Sequence, residues 1–260
     1  TRLFGNDNTL CVPNGSIDQN GCGKLAAFTP EAFEAIKQLG TTHIWYTGVI
    51  EHATQTDYSA HGIRPDHKAT VKGKAGSPYA IKDYYDIDPD LAVDVPNRMK
   101  EFEALVERTH AAGLKMVIDF VPNHVAREYH STCKPKGVED LGATDNPTWA
   151  FSPLNNFYYI HEPFAPQFDV QGYIENPSRA TGNDCFTAHP SKDDWYETVK
   201  LNYGVFYQNG GEQQFDPIPN TWHKMLHILL FWASKGIDGF RCDMAEMVPQ
   251  AFWSWAIAQV

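Results

Sequence analysis

No stretch of the 260-residue chain approaches the roughly 20 consecutive apolar residues that a bilayer-spanning helix needs, so no membrane span is expected. No leader of charged and then apolar residues stands at Thr1. Positive charge is scarce: 21 Lys and Arg against 32 Asp and Glu leave a net charge of -11, which argues against nucleic acid as a partner, because phosphate backbones are gripped by basic patches. The chain also lacks a G-x-G-x-x-G phosphate loop, a CxxC metal pair, an internal repeat and a low-complexity linker. Neutral ligands fit this balance better.

Cysteine is sparse, at positions 11, 22, 133, 185 and 242. Pairs Cys11 with Cys22 and Cys133 with Cys185 are compatible with disulfides in loop-rich regions, while Cys242 reads as a buried free thiol. Such pairing would imply an exported protein, the favoured expectation, and a reduced cytosolic chain is the alternative. Aromatic residues, by contrast, are plentiful at 13%, with seven Trp and twelve Tyr. Flat rings suit stacking on sugar faces, although most of them must fill the core.

Along the chain, apolar periodicity predicts alternating strands and helices. Thr1 to Phe4 reads as the tail of a strand. Thr29 caps a helix with Pro30 in its first turn, Phe33, Ile36 and Leu39 as its buried stripe and Gly40 as its end. A strand over Thr42 to Tyr46 follows, then an excursion of roughly fifty residues that contains SPYAIKDYYDI at 77 to 87. Asp94 and Pro96 open a second helix with Met99, Phe102, Leu105, Val106 and Thr109 at helical spacing, closed by Gly113. The apolar strand from Leu114 to Asp119 then suggests a sheet covered on both faces. After it comes a loop-rich insertion of roughly ninety residues without helical period. Pro219 leads a third helix striped by Trp222, Met225, Leu226, Leu229 and Leu230, which feeds a strand within GIDGFRCDMAEM, and a last helix begins at Val248.

Four strands alternating with four helices, with the long excursions after strands, predict a parallel sheet of an α/β protein and a (β/α)8 barrel of the TIM type. The chain would supply roughly the first four βα units: residues 1–124 as the first part of the barrel, 125–218 as an inserted subdomain and 219–260 as the barrel continued. A doubly wound open sheet is the runner-up, without its phosphate loop.

Two stretches carry candidate chemistry. Arg241 and Asp243 are two apart, so they share one side of a strand at its C-terminal mouth, where α/β enzymes place reactive groups; a structural ion pair is the plainer alternative. Asp119, Asn123 and His124 in DFVPNH end an otherwise apolar strand, where polar groups are costly to bury without partners. A hydrogen-bonded core histidine would satisfy that pattern too.

Gly236, Gly239, Phe240, Arg241 and Asp243 resemble the G-F-R-x-D motif of the α-amylase family of glycoside hydrolases, and DFVPNH is similar to its D-x-V-x-N-H motif. His110, Gly113, Leu114 and Lys115, then Tyr79 with Asp83 and Tyr84, and Leu201, Asn202 and Tyr203 match further family segments in order. The resemblance implies a (β/α) barrel acting on α-glucans of the starch or malto-oligosaccharide type by a retaining double displacement. It implies Asp243 as nucleophile, Arg241 keeping it ionised, and His124, Tyr79 and Asp119 at the sugar subsite, with Tyr79 as a stacking platform. Asn123 falls on the position of a calcium ligand, so calcium is the expected cofactor. The family's general acid and third carboxylate follow later strands and have no match here, so the chain is expected to need the remainder of the barrel and to be inactive alone. Glu246 and Met247 stand where many members have a Lys-His pair, and Glu246 reads as a distal subsite variant or a solvated helix start. The alternatives are a non-catalytic glycan-binding or partner-binding barrel, and an unrelated barrel enzyme using Asp119 and His124 on a metal.

Overall fold

The computed structural model describes residues 1–260. At its centre three parallel strands, His43–Tyr46, Lys115–Phe120 and Gly239–Cys242, lie side by side in chain order. The middle strand is paired on both sides, Tyr46 facing Ile118 and Arg241 facing Asp119. Helices Pro30–Lys37, Arg98–Ala111 and Asn220–Ser234 precede the three strands in turn, and Gln250–Ile257 follows the last. This is the βα alternation that parallel pairing requires, since each return to the same edge needs a crossover.

Local chemistry sets the helix ends. Thr29 Oγ1 accepts from the Ala32 amide at 3.3 Å, and Pro30 stands at the first helical position, where its missing N–H costs nothing. Gly113 and Gly236 close the second and third helices at φ +74° and +84°, a left-handed turn that side chains resist. Each glycine then delivers the chain to a parallel strand. Asp238 fixes the third strand's entry: its amide donates to Met116 O, and its carboxylate accepts from Met116 N and His110 Nε2, all at 2.8 Å.

The core lies between sheet and helices. Met116, Ile118 and Phe120 are fully buried, with Tyr46, Phe102, Leu105 and Trp232 around them. Phe102 and Trp232 meet edge to face at 5.4 Å between centroids, and Trp232 Nε1 donates to Tyr84 O at 2.8 Å.

Several expectations change here. Thr1 to Phe4 forms turns rather than a strand, so the parallel sheet has three strands. Leu39 lies beyond the last helical residue Lys37 and is 83% exposed, and Leu230 points outward from its helix, so neither joins a buried stripe. The third strand is half-buried because it pairs on one side only, and an apolar groove lined by Leu229, Phe240, Cys242, Trp253, Ala256 and Ile257 runs beside it. All five cysteines are free; Cys133 Sγ instead lies 3.1 Å from Asp86 Oδ2.

The two excursions pack over the C-terminal mouths of the strands. Ile81–Ile87 pairs antiparallel with Ile50–His52. In the insertion, Thr198–Lys200 pairs antiparallel with His124–Ala126, the segment that directly continues the middle strand. Among residues 125–218 there is no α-helix, as the missing period predicts. The buried Tyr203 hydroxyl holds the insertion down by donating to Pro122 O at 2.7 Å, and Asn202 Nδ2 ties the insertion to itself by donating to Ser152 O at 2.7 Å.

Candidate active site

Parallel register builds the site. Because Arg241 lies opposite Asp119, both side chains leave the sheet at the same mouth, and Arg241 Nη1 reaches Asp119 Oδ1 at 3.5 Å and Asp243 Oδ1 at 2.5 Å. Asp243 stands one residue past the strand, its amide still donating to Phe120 O at 2.8 Å. Met244 then turns the chain away at φ +48°, a left-handed conformation uncommon outside glycine. The carboxylate is thereby presented at a corner.

Asp119 is buried beneath that corner. It accepts from the Gly48 amide at 2.8 Å and Trp45 Nε1 at 3.1 Å. Burial pushes its carboxyl up from the ordinary range, against the Gly48 bond and the Arg241 charge, which pull the other way. The guanidinium itself lies 4.9 Å from the centre of the Trp45 ring and 5.6 Å from that of Tyr79. Arg241 is thus held by two carboxylates and two aromatic faces.

Beside it opens a cavity of about 370 Å³ lined by Asp243, Tyr79, His124 and Met244 together with Lys72, Trp195 and Glu197 from the two excursions. The structure therefore brings Asp243, Tyr79 and His124 to one cavity and stands Arg241 and Asp119 behind them. His124 is 3% exposed, with its ring 5.3 Å from that of Trp195. Burial first, and the Lys200 charge second, push its imidazolium down to about pKa 4, so the ring is neutral at ordinary pH.

Asn123 has a different setting. Its Oδ1 accepts from Lys200 Nζ at 2.8 Å, and its Nδ2 faces Gly182 O at 2.8 Å and His124 Nδ1 at 3.0 Å. The amide oxygen expected to meet a calcium ion meets an ammonium, so these residues as arranged do not fit that ion. Two other groups have ligand-type side chains close together, and each already holds a guanidinium. Arg2 Nη2 bonds His52 Nε2 at 2.6 Å in the His52, Asp88 and Asp90 group, and Arg98 Nε bonds Asp86 at 2.9 Å in the Asp83, Asp86 and Cys133 group. Glu246 is exposed and Met247 half-buried, and neither lines the cavity, as a solvated helix start requires.

Sequence reasoning missed Trp195, Glu197, Lys72 and Trp45. Lys72 Nζ stands 3.4 Å from Glu197 Oε2 and 5.0 Å from the centre of the Tyr196 ring, at one edge of the cavity. Trp195, Glu197 and Lys72 sit in aperiodic excursions where spacing carries no signal. Trp45 was readable: as the third residue of HIWY it lies one short of buried Tyr46, so it must point to the opposite side of the strand.

Comparison with known proteins identifies the family and fold. Over 249 residues the chain is 27% identical to an alpha-amylase of Streptomyces lividans, covering 91% of this chain and 25% of that protein. Over 181 residues it is 26% identical to the amino acid transporter heavy chain SLC3A1 of Rattus norvegicus, covering 66% of this chain and 22% of that one. The chain thus spans about a quarter of the length of these curated relatives. The crystal structure of an alpha-amylase from Lactobacillus plantarum superposes with a TM-score of 0.53 at 27% identity, over 91% of this chain and 38% of that chain. The family model described as alpha amylase, catalytic domain, matches residues 15–255. With barrel-type βα order, the Arg241 and Asp243 pair at the strand mouth and that match over nearly its whole length, the chain belongs to the alpha-amylase family, whose catalytic domain is of the TIM-barrel type.

Proposed function

We propose that this chain carries the nucleophile side of a glycosidase acting on α-glucans of the starch or malto-oligosaccharide type by a retaining double displacement. One observation carries the reading: the Asp243 carboxylate is held at 2.5 Å by a fixed guanidinium while it borders a cavity walled by Tyr79, Trp195 and neutral His124. A carboxylate that attacks an anomeric carbon must be ionised and aimed, and the Arg241 charge favours both. Tyr79 and Trp195 offer flat apolar surface to a pyranose ring, and His124, uncharged, suits a sugar hydroxyl as a donor. Asp119 orients Arg241 rather than touching the sugar.

The other carboxylate at the cavity, Glu197, faces the Lys72 ammonium and is poorly placed to deliver a proton to a leaving oxygen. On this reading the acid comes from another part of the protein, and the chain by itself is expected not to turn over starch. A glycosyl fluoride whose departure needs no protonation bypasses that requirement. Incubating the longest polypeptide that carries this segment with a fluorinated glycosyl fluoride, followed by peptide mass spectrometry, should place a stable glycosyl ester on Asp243. Label on another residue overturns the mechanism.

A second reading, a non-catalytic glycan-binding or partner-binding barrel, is favoured by the likeness to a transporter heavy chain. Glycan binding without any ester at Asp243 would support it.

A further inference from the structure

We infer that the Lys200 ammonium takes the place of the divalent cation expected at Asn123, locking the mouth of the middle strand to the insertion and positioning His124. The inference does not depend on the glycosidase reading. Lys200 is 2% exposed, and its Nζ donates to Asn123 Oδ1 at 2.8 Å and Asp184 Oδ1 at 2.6 Å, with the Tyr207 ring centre at 5.0 Å. One acceptor belongs to the continuation of the middle strand and the other to the insertion, so the ammonium joins the same two parts that a bridging metal would join.

Backbone geometry makes the placement obligatory. Lys200 pairs with His124 in the antiparallel ladder, its amide donates to Ala180 O at 2.9 Å, and Leu201 N donates to Asn123 O at 3.0 Å. Asp184 meets it from a turn at φ +65°, a conformation Asp tolerates better than most residues.

The ammonium also orients its neighbour. An NH₃⁺ group only donates, so the Asn123 amide must present oxygen to it, which turns Nδ2 toward Gly182 O and His124 Nδ1. Nδ1 of the neutral ring therefore accepts, and the imidazole proton resides on Nε2. Lys200 touches no reacting atom in this account. It is a positioning residue for a histidine at the cavity.

The test is thermal unfolding of the whole chain in EDTA and in millimolar calcium, with nitrogen NMR of the His124 ring to read which nitrogen carries the proton. Wild type should melt at one temperature in both buffers, within about 1 °C. Lys200→Met should melt roughly 6–12 °C lower, because it strands two polar acceptors, and should spread the His124 proton over both ring nitrogens as the Asn123 amide is freed to turn. Lys200→Asp, with a carboxylate in place of the ammonium, should melt higher in calcium than in EDTA. A wild-type melting temperature that rises by several degrees with calcium overturns the inference. So does a Lys200→Met chain with unchanged melting and an unchanged His124 tautomer. Should the Lys200 variants fail to fold, the wild type decides alone: a His124 proton on Nε2 and one melting temperature in both buffers support the inference, and a proton on Nδ1 or a calcium requirement for folding sinks it.

Discussion

Arg241 and Lys200 each stand between two side-chain oxygen acceptors, yet one cation is left partly open and the other is sealed. The Arg241 side chain is 37% exposed, shares Nη1 between Asp119 and Asp243 and borders a cavity, whereas the Lys200 side chain is 1% exposed and is enclosed by Asn123, Asp184 and Tyr207. A half-exposed pair keeps a carboxylate charged and reachable, which suits chemistry. A sealed ammonium has lost its hydration and must recover that cost through geometry, which suits fastening. Arg's planar fork can serve two carboxylates at the open mouth, while the compact ammonium fills a pocket of ionic size.

The contrast can be broken from either side. The largest effect is expected from Asp243→Asn: steady-state hydrolysis by the longest polypeptide carrying this segment should fall on the order of 10⁴-fold, while the melting temperature barely moves, since Arg241 keeps Asp119. A variant as active as wild type would remove Asp243 from the chemistry. Asp119→Ala should act on folding instead, costing about 3 kcal/mol because the Gly48 amide and Trp45 indole lose their buried acceptor. Urea denaturation with an unchanged slope measures it.

His124 gives a pH signature of up to about 3 kcal/mol. Its folded pKa is lowered to about 4 while the unfolded ring protonates near 6.5, so the unfolded chain binds the extra proton in between. Above pH 6.5 the ring contributes nothing, and stability should fall as pH drops from there toward 4. His124→Gln should flatten that part of the curve in denaturation runs at pH 7, 5.5 and 4.5. The smallest effect belongs to Asp184→Asn, about 1 kcal/mol or less, because the Asp184 side chain is 39% exposed and water screens its share of the pair. A loss as large as that of Asp119→Ala would mean that the fastening is more deeply sealed than its exposure indicates.

Much of the frame was readable in advance because its signals are local. Caps such as Thr29 with Pro30, and glycines such as Gly113, act within a few residues, and the apolar run Leu114 to Asp119 announces a strand covered on both sides. Asp243, His124 and Tyr79 were found through motifs and do share a cavity. What stayed hidden depends on long-range contacts. Trp195 reaches His124 across 71 positions, and Lys200 meets Asn123 across 77, through an insertion whose path no period predicts. Leu39 misled because a helical stripe was extended past the turn that ends it. Thr1 to Phe4 misled because a short run breaking into a polar, glycine-rich loop was taken as the tail of a strand, whereas it forms turns.

The three parallel strands stand in space in the order in which they occur in the chain. During synthesis each would emerge to find its neighbour already made, with no need to pry apart an earlier pair. The wait is uneven, however: 68 residues separate Tyr46 from Lys115, but 118 separate Phe120 from Gly239. The ribosome must deliver the whole insertion, Lys200 included, before Arg241 can reach Asp119. The fastening is therefore translated first, and the reactive corner is completed last.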